Sequence, residues 1–234
     1  MITRRYYSMD ENKFAGFTPA TSQFLWDLAF NNERSWFLEH KAEFEEVLNR
    51  PLKLLAQETY ELLCAAHPDK PLLLHVARIY RDARRLHGRG PYKDHLWFSI
   101  KADNKLLEGP MFWFEIGAAD YSLGMGFYSA TAAQMELFRR SIDANPARFE
   151  RIAKDLGKLK GFQVSGEEYK KPKGQYDGAI GQWYNRKRPG IDCTRDFGGD
   201  IFSPELPRIL ADAFSAMMPM YDYLTVIASS GKEQ

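Results

Sequence analysis

The stretch from His95 to Tyr128, HLWFSIKADNKLLEGPMFWFEIGAADYSLGMGFY, decides the fold. Three runs within it change character at every second residue, which is the period of a β-strand with two unlike faces. In the first, Leu96, Phe98 and Ile100 share one side, and His95, Trp97, Ser99 and Lys101 share the other. In the second, Phe112, Phe114 and Ile116 oppose Met111, Trp113, Glu115 and Gly117. In the third, Leu123, Met125 and Phe127 oppose Ser122, Gly124, Gly126 and Tyr128. The connections between them suit hairpins, so these strands should pair antiparallel. One face of the sheet is purely apolar and requires a cover of helices. The other mixes tryptophan, tyrosine, a carboxylate and glycine, the composition of a partly wet concave surface. On that face Gly124 and Gly126 either mark bulges or leave room for an approaching ligand or backbone. Glu115 is either a solvated or ion-paired strand residue or a group that meets a ligand.

Helical patterns flank this centre. Thr18 and Pro19 read as N-cap and first residue of a helix that Asn31 and Asn32 end;. A second apolar stripe runs from Phe37 through Phe44, Val47, Leu48, Leu52, Leu55, Thr59, Leu62 and Leu63 to Ala66, and keeps its phase through Pro51;. It predicts one long helix kinked at Pro51, or two coaxial pieces. LLLHVARIYRD opens the strand region. After it, TAAQMELFRRSID and NPARFERIAKDLG read as helices, the latter capped by Asn145 and Pro146 and stopped by Gly157;. The glycine- and charge-rich stretch from Lys171 to Asp200 predicts a long loop with short elements. A final helix follows Ser203-Pro204-Glu205, and Pro219 should kink or break it. The fold class is therefore α+β: one domain over residues 1–234, with 1–13 as a tail. A central, largely antiparallel sheet should carry helices on one face, with long N-terminal helices and a C-terminal helix.

Composition limits the function. The formal net charge is +1 and aromatic residues make up 14% of the chain, which fits a globular protein without a protein-wide attraction for nucleic acid or membrane;. The charge is nevertheless uneven. From Arg78 to Lys101, seven Lys/Arg stand against two Asp, a local +5, which leaves −4 for the rest. No stretch reaches bilayer-spanning length, and the start lacks the apolar core of a secretory signal. Cys64 and Cys193 show no metal or redox spacing and read as reduced thiols;. The expectation is a cytoplasmic protein with no metal, cofactor or membrane partner; its oligomeric state is left open.

Most reaction motifs fail on spacing. GRGPYK lacks the spacing and the Ser/Thr of a P-loop, and LGMGFY lacks the third glycine of a dinucleotide fingerprint;. The five histidines show no metal-binding spacing, and there is no GxSxG;. What remains is the basic stretch RIYRDARRLHGRGPYKDH, Arg78 to His95, beside the mixed face of the sheet. Arginine forks match phosphate and carboxylate. The candidate anion holders are Arg78, Arg81, Arg84 and Lys93; Tyr92, Trp97, Trp113 and Tyr128 would wall the pocket. Asp82, His95 and Glu115 are the candidates for proton exchange. Cations interleaved with rings also suit nucleic acid, but the near-neutral charge favours a small anion.

FAGFTPATSQFLWDLAFNNERSWFLEHKAEFEEVLNRPLKLL, RIYRDAR with GPYKDHLWFSI, GFYSATAAQMELFRRSI and YKKPKGQYD occur in this order. Together they resemble the domain-of-unknown-function 2461 family of bacterial and fungal proteins, from about Phe14 to the last helix. The resemblance implies one α+β domain and marks Arg78, Arg81, Asp82, Arg84, Pro91, Tyr92 and Lys93 as motif positions. It also implies a departure: RLHGRG stands where the family commonly has Phe-Ser-Lys-Asp-Lys, so an acidic loop residue is missing and Arg89 lies nearby instead.

The resulting expectation is an anion-binding domain with scope for acid–base chemistry. The competing class is a non-enzymatic interaction module that docks an acidic protein or nucleic acid through the basic turn 78–95. A third is that Arg81 and Asp82 are architectural and tie the turn to its surroundings.

Overall fold

A computed structural model describes residues 12–82, 84, 88–103 and 109–230. The N-terminal tail as far as residue 11, positions 83 and 85–87 of the basic turn, and 104–108 of the first hairpin connection lie outside the described residues. The three alternating runs form β2 (Leu96–Ala102), β3 (Pro110–Ile116) and β4 (Asp120–Phe127). They join β1 (Leu72–Val76), β5 (Gln163–Ser165) and β6 (Gly190–Asp196) in one antiparallel sheet of order β1-β2-β3-β4-β6-β5. The helices are α1 (Pro19–Phe30), α2 (Arg34–Glu39), α3 (Lys41–Phe44), α4 (Arg50–Ala66), α5 (Ala132–Ala144), α6 (Pro146–Leu156), α7 (Gly178–Tyr184) and α8 (Leu206–Ser230). The fold is α+β.

Register aligns the apolar rows across the sheet. Phe98 faces Phe114, Phe114 faces Leu123, and Leu123 faces Cys193, all on one side and all buried. Helix α4 lies against β1 and β2, and α8 lies against β3 and β4. Phe214 and Tyr221 of α8 stack on Phe112 at 5.1 and 4.5 Å. Burying each such ring stabilises the fold by about 1.5–3 kcal/mol. This row is the centre of the core. Helices α5 and α6 pack outside α8. No described helix is long and apolar enough to cross a membrane.

One expectation about proline is corrected in part, that Pro219 would kink or break the last helix. Pro219 neither breaks α8 nor separates it from the following segment: the helix runs through it, with Met217, Met218, Met220 and Tyr221 buried around it. Pro219 itself is exposed, and burial of its neighbours along α8 outweighs the single lost hydrogen bond;. The stripe from Phe37 to Ala66 continues through Pro51 as expected, but it is not one regular α-helix. It is divided at His40, and a π-helical turn, Glu45–Asn49, precedes α4. There the Arg50 N–H donates to the Glu45 carbonyl, five residues back. Of the predicted stripe, Leu52, Leu55, Thr59 and Leu63 are buried, Leu62 and Ala66 are exposed, and Ala56 also faces the core.

Pro51 has no N–H to give the carbonyl of Val47, four residues back. The hydroxyl of Thr21 donates to that carbonyl at 2.7 Å. Thr21 is fully buried, and its oxygen also accepts from the Thr18 N–H at 3.3 Å, so it closes the start of α1 as well. Thr18 and Asn145 occupy the cap positions the sequence predicts; Asn145 accepts from the Arg148 N–H at 3.1 Å.

Replacing Thr21 by Val keeps the volume and removes this donor from the half-buried Val47 carbonyl. We expect a loss of about 1–3 kcal/mol, read as a lower Tm in calorimetry, and recovery in Thr21→Ser. An unchanged Tm in Thr21→Val would show that the bond contributes nothing.

Candidate functional site

The face of the sheet turned away from α4 and α8 carries a cleft of about 530 Å³. Its sheet side comes from the wet rows, Trp97 on β2, Met111, Trp113 and Glu115 on β3 and Gly126 on β4, with Phe127 of the apolar row at its border. Lys93, His95 and Tyr128 stand at the strand ends. The opposing wall comes from a distant part of the chain: Ser165 at the end of β5, Gly166 and Glu167 just beyond it, Arg188 just before β6 and Gly190 at its start.

The two glycines of β4 have different roles. A Cβ on Gly124 would meet the Trp113 ring at 2.7 Å and the Ile191 carbonyl oxygen at 2.5 Å. Its space is therefore filled by the indole, which lies across the strand. A Cβ on Gly126 would meet the Gly190 Cα at 2.5 Å, so here two backbones approach closely and leave the floor of the cleft low;. Trp113 is held flat by the first of these glycines, and the floor beside it is opened by the second.

Of the residues singled out in the sequence, six meet here: Lys93, His95, Trp97, Trp113, Glu115 and Tyr128. The others do not. Tyr92 is buried and stacks on Phe37 at 4.1 Å. Arg81 donates through Nε to the Tyr92 carbonyl at 2.6 Å and through Nη2 to Asp94 at 2.9 Å. Arg84 and Asp82 pair with each other at 2.8 Å on the surface. Arg78 lines a separate hollow of about 180 Å³ beside Tyr80 and Phe37. Asn32 holds the turn from behind, accepting from the Tyr92 N–H at 2.9 Å and donating to its carbonyl at 3.0 Å.

Two groups were missed by sequence reasoning. Arg188 belongs to the YNRKRPG stretch, where each cation looks alike. The structure separates them: Arg186 bonds the Gly166 carbonyl at 2.5 Å and pairs with Glu168, and Lys187 pairs with Glu167. Arg188 has only a long bond, 3.4 Å, to the Tyr128 carbonyl among the described residues. The other is Asp94, whose Oδ1 lies 2.9 Å from His95 Nδ1. An Asp-His pair adjacent in sequence was the available signal.

Electrostatics separates balanced from unbalanced charge. Burial works to raise the Asp94 carboxyl, but its own backbone amide, the His95 ring and Arg81 outweigh this and hold it below the usual aspartate range. Glu167 is lowered chiefly by its bond to Lys187, with Arg188 contributing. Lys93 is lowered by desolvation and then by Arg78 and Arg81. Its ammonium donates to the Arg78 carbonyl, a neutral partner, so its charge is solvated by the protein without being neutralised. Among the described residues no group of three or more His, Cys, Asp or Glu is placed to hold a metal ion.

A family model described as "Conserved hypothetical protein (DUF2461)" matches residues 20–223. The chain belongs to the DUF2461 family. Every residue of the cleft falls inside the match, as do the turn residues that brace it. A comparison with curated proteins finds no match. In this DUF2461 chain the positions of the R-x-x-RD-x-R and PYK motifs thus divide into two sets. Lys93 faces the cleft; Arg81, Asp82, Arg84 and Tyr92 shape or neighbour the turn.

The depressed Asp94 predicts the pH response of that turn. Its contribution is complete above the unfolded aspartate value of about 3.9 and is lost as pH falls through the lower folded value. Asp94→Asn should therefore flatten the acid end of the Tm-against-pH curve between neutral pH and the acid limit, measured by calorimetry. A parallel curve for the variant and the parent would refute the pairing.

Proposed function

We propose that the cleft binds a small anionic ligand, phosphate- or carboxylate-bearing, with a flat or apolar body. The reading is carried by one observation: two half-buried tryptophans and two cations that bond carbonyl oxygens rather than carboxylates, Lys93 and Arg188, line one face of the sheet, with Glu167 near Arg188 but paired to Lys187. The indoles of Trp97 and Trp113 offer area for a planar group at little cost in side-chain freedom. Lys93 is disfavoured as a cation where it stands, and an incoming anion would relieve that penalty;. Arg188 adds a planar fork suited to a bidentate oxyanion. The volume lies in the range of small-molecule sites;.

Docking of nucleic acid or an acidic protein through the turn 78–95 has less support. Arg81 is paired with Asp94 and Arg84 with Asp82, which lowers the positive potential a polyanion would meet;. A cytoplasmic setting agrees with the two free cysteines, Cys64 and Cys193;.

Thermal-shift and calorimetric titrations with benzoate, phenyl phosphate, inorganic phosphate and neutral benzyl alcohol test the reading. Phenyl phosphate or benzoate should stabilise saturably, by about 2.7 kcal/mol at a hundredfold excess over Kd, and should exceed both the ring alone and phosphate alone. Arg188→Met and Lys93→Met should each weaken binding by about tenfold or more, since a hydrogen bond to a charged group contributes about 1.5–3 kcal/mol. Arg84→Ala should leave it unchanged. Binding that survives both cleft substitutions, or no saturable binding across the set, would count against the site.

A further inference from the structure

Four charged or titratable side chains form a chain at the rim of the cleft. Arg81 Nη2 lies 2.9 Å from Asp94 Oδ1, the same oxygen lies 2.9 Å from His95 Nδ1, and His95 Nε2 lies 3.9 Å from Glu115 Oε2. The first link is the most rigid: the Arg81 side chain is 13% exposed and is fixed through its Nε to the Tyr92 carbonyl. The last is the most open, with His95 and Glu115 side chains 37% and 45% exposed. Glu115 stands on β3 opposite Trp97, so the imidazole and the carboxylate meet at the edge of the indole floor.

The chemistry follows from which nitrogen is occupied. A carboxylate at Nδ1 accepts its proton and leaves the lone pair on Nε2, the nitrogen directed toward Glu115;. At 3.9 Å the two are not hydrogen-bonded, and Glu115 has no other ion-pair or hydrogen-bond partner among the described residues;. A histidine kept for architecture would have both nitrogens satisfied. Here one is braced and the other faces a cleft, beside a carboxylate able to stabilise the ring once it is charged.

Building on the anion-site reading above, we propose that His95 is a proton-transfer residue, acting on a small enolisable anion seated on the two tryptophans. In the step, Nε2 takes the proton from the carbon next to a carbonyl. The C–H electron pair becomes the new C=C bond, and the carbonyl π pair moves to oxygen. The imidazolium, held between Asp94 and Glu115, then returns its proton to that oxygen. Keto and enol forms interconvert with every atom and electron conserved and no co-reactant consumed. Lys93 and Arg188 hold the anionic end. Asp94, Arg81 and Glu115 are positioning residues: the first two fix the tautomer and ring plane, and the third favours the charged ring.

The experiment measures deuterium wash-in from heavy water at the carbon next to the carbonyl, by proton NMR, across phenylpyruvate, other 2-oxo acids and keto-sugar phosphates. The intact chain should exchange at least one member about 10²–10⁴-fold faster than buffer. His95→Gln, and His95→Asn as a second variant checked by circular dichroism, should return exchange to the buffer rate while leaving Kd for that compound within threefold. Glu115→Gln should lower the exchange rate at saturating compound while leaving Kd within threefold, a split that a merely structural carboxylate would not cause. Exchange that persists in both His95 variants, or no exchange above buffer with any member of the panel, overturns the proposal. If benzoate or phenyl phosphate still binds saturably in the second case, the proton-transfer step alone has failed. If neither binds, the anion site has failed with it.

Discussion

The antiparallel sheet is covered by helices on one side, and the rest of the molecule follows from that asymmetry. Helices α4 and α8 seal a row in which Leu96, Phe98, Ile100, Phe112, Phe114, Leu123 and Met125 are all buried. Alternation then sends the intervening residues to the opposite face, where Trp97, Trp113, Glu115 and Lys101 stay partly in water although Ser99, Gly124 and Gly126 are buried;. That face must tolerate solvent, which explains serine, glycine, lysine and glutamate among its tryptophans. Burial on one side and polarity on the other are a single choice, since a shift of register by one residue would exchange the two faces. Tyr221 secures this register at the sheet's far end by accepting the Ala102 N–H at 2.6 Å, and burial pushes its phenol up to about 12.

The basic turn, which has the densest positive charge in the chain, is mostly scaffolding among its described residues. Asn32 holds it through both backbone groups of Tyr92, Phe37 stacks on its ring, and Arg81 crosses from one arm of the turn to Asp94 on the other. The effect is to present two consecutive residues, Asp94 and His95, at a fixed angle where β2 begins. A bare excess of cations in a sequence says little about where their charge is available, because carboxylates and carbonyls brought near by folding consume part of it. Lys93 and Arg188 differ from their neighbours because their partners are carbonyl oxygens rather than carboxylates.

The parts of the fold legible in the sequence are those with local causes. The alternation of β2 to β4, the Thr18-Pro19 and Asn145-Pro146 helix starts, and the division of the sheet into dry and wet faces need only neighbouring residues to be seen. Half the cleft was legible for the same reason, from Trp97, Trp113, Glu115 and Tyr128. β6 was not: GIDCTRD has glycine at its start, and its apolar members, Ile191 and Cys193, are too few to make a pattern. It is a strand because β4 pairs with it along seven residue pairs, from Asp120 with Asp196 to Gly126 with Gly190. The second wall, and Arg188 with it, depends on that long-range pairing. Pro219 misled in the opposite direction, because the packing around α8 outweighs a loss that local rules count as a break, whereas the continuation through Pro51 was legible in the unbroken phase of its stripe.

The close passage of Gly126 against Gly190 has a further consequence, for the order in which the cleft assembles. One wall is formed by consecutive hairpins, which close quickly because their contacts are local. The other arrives only after α5, α6 and α7 have been threaded between Tyr128 and Gly190, a far larger loop to close;. A nascent chain therefore displays its two tryptophans on an unfinished ledge before anything opposes them. Occupancy of the finished cleft would report on the docking of its late wall, separately from the consolidation of the core beneath it.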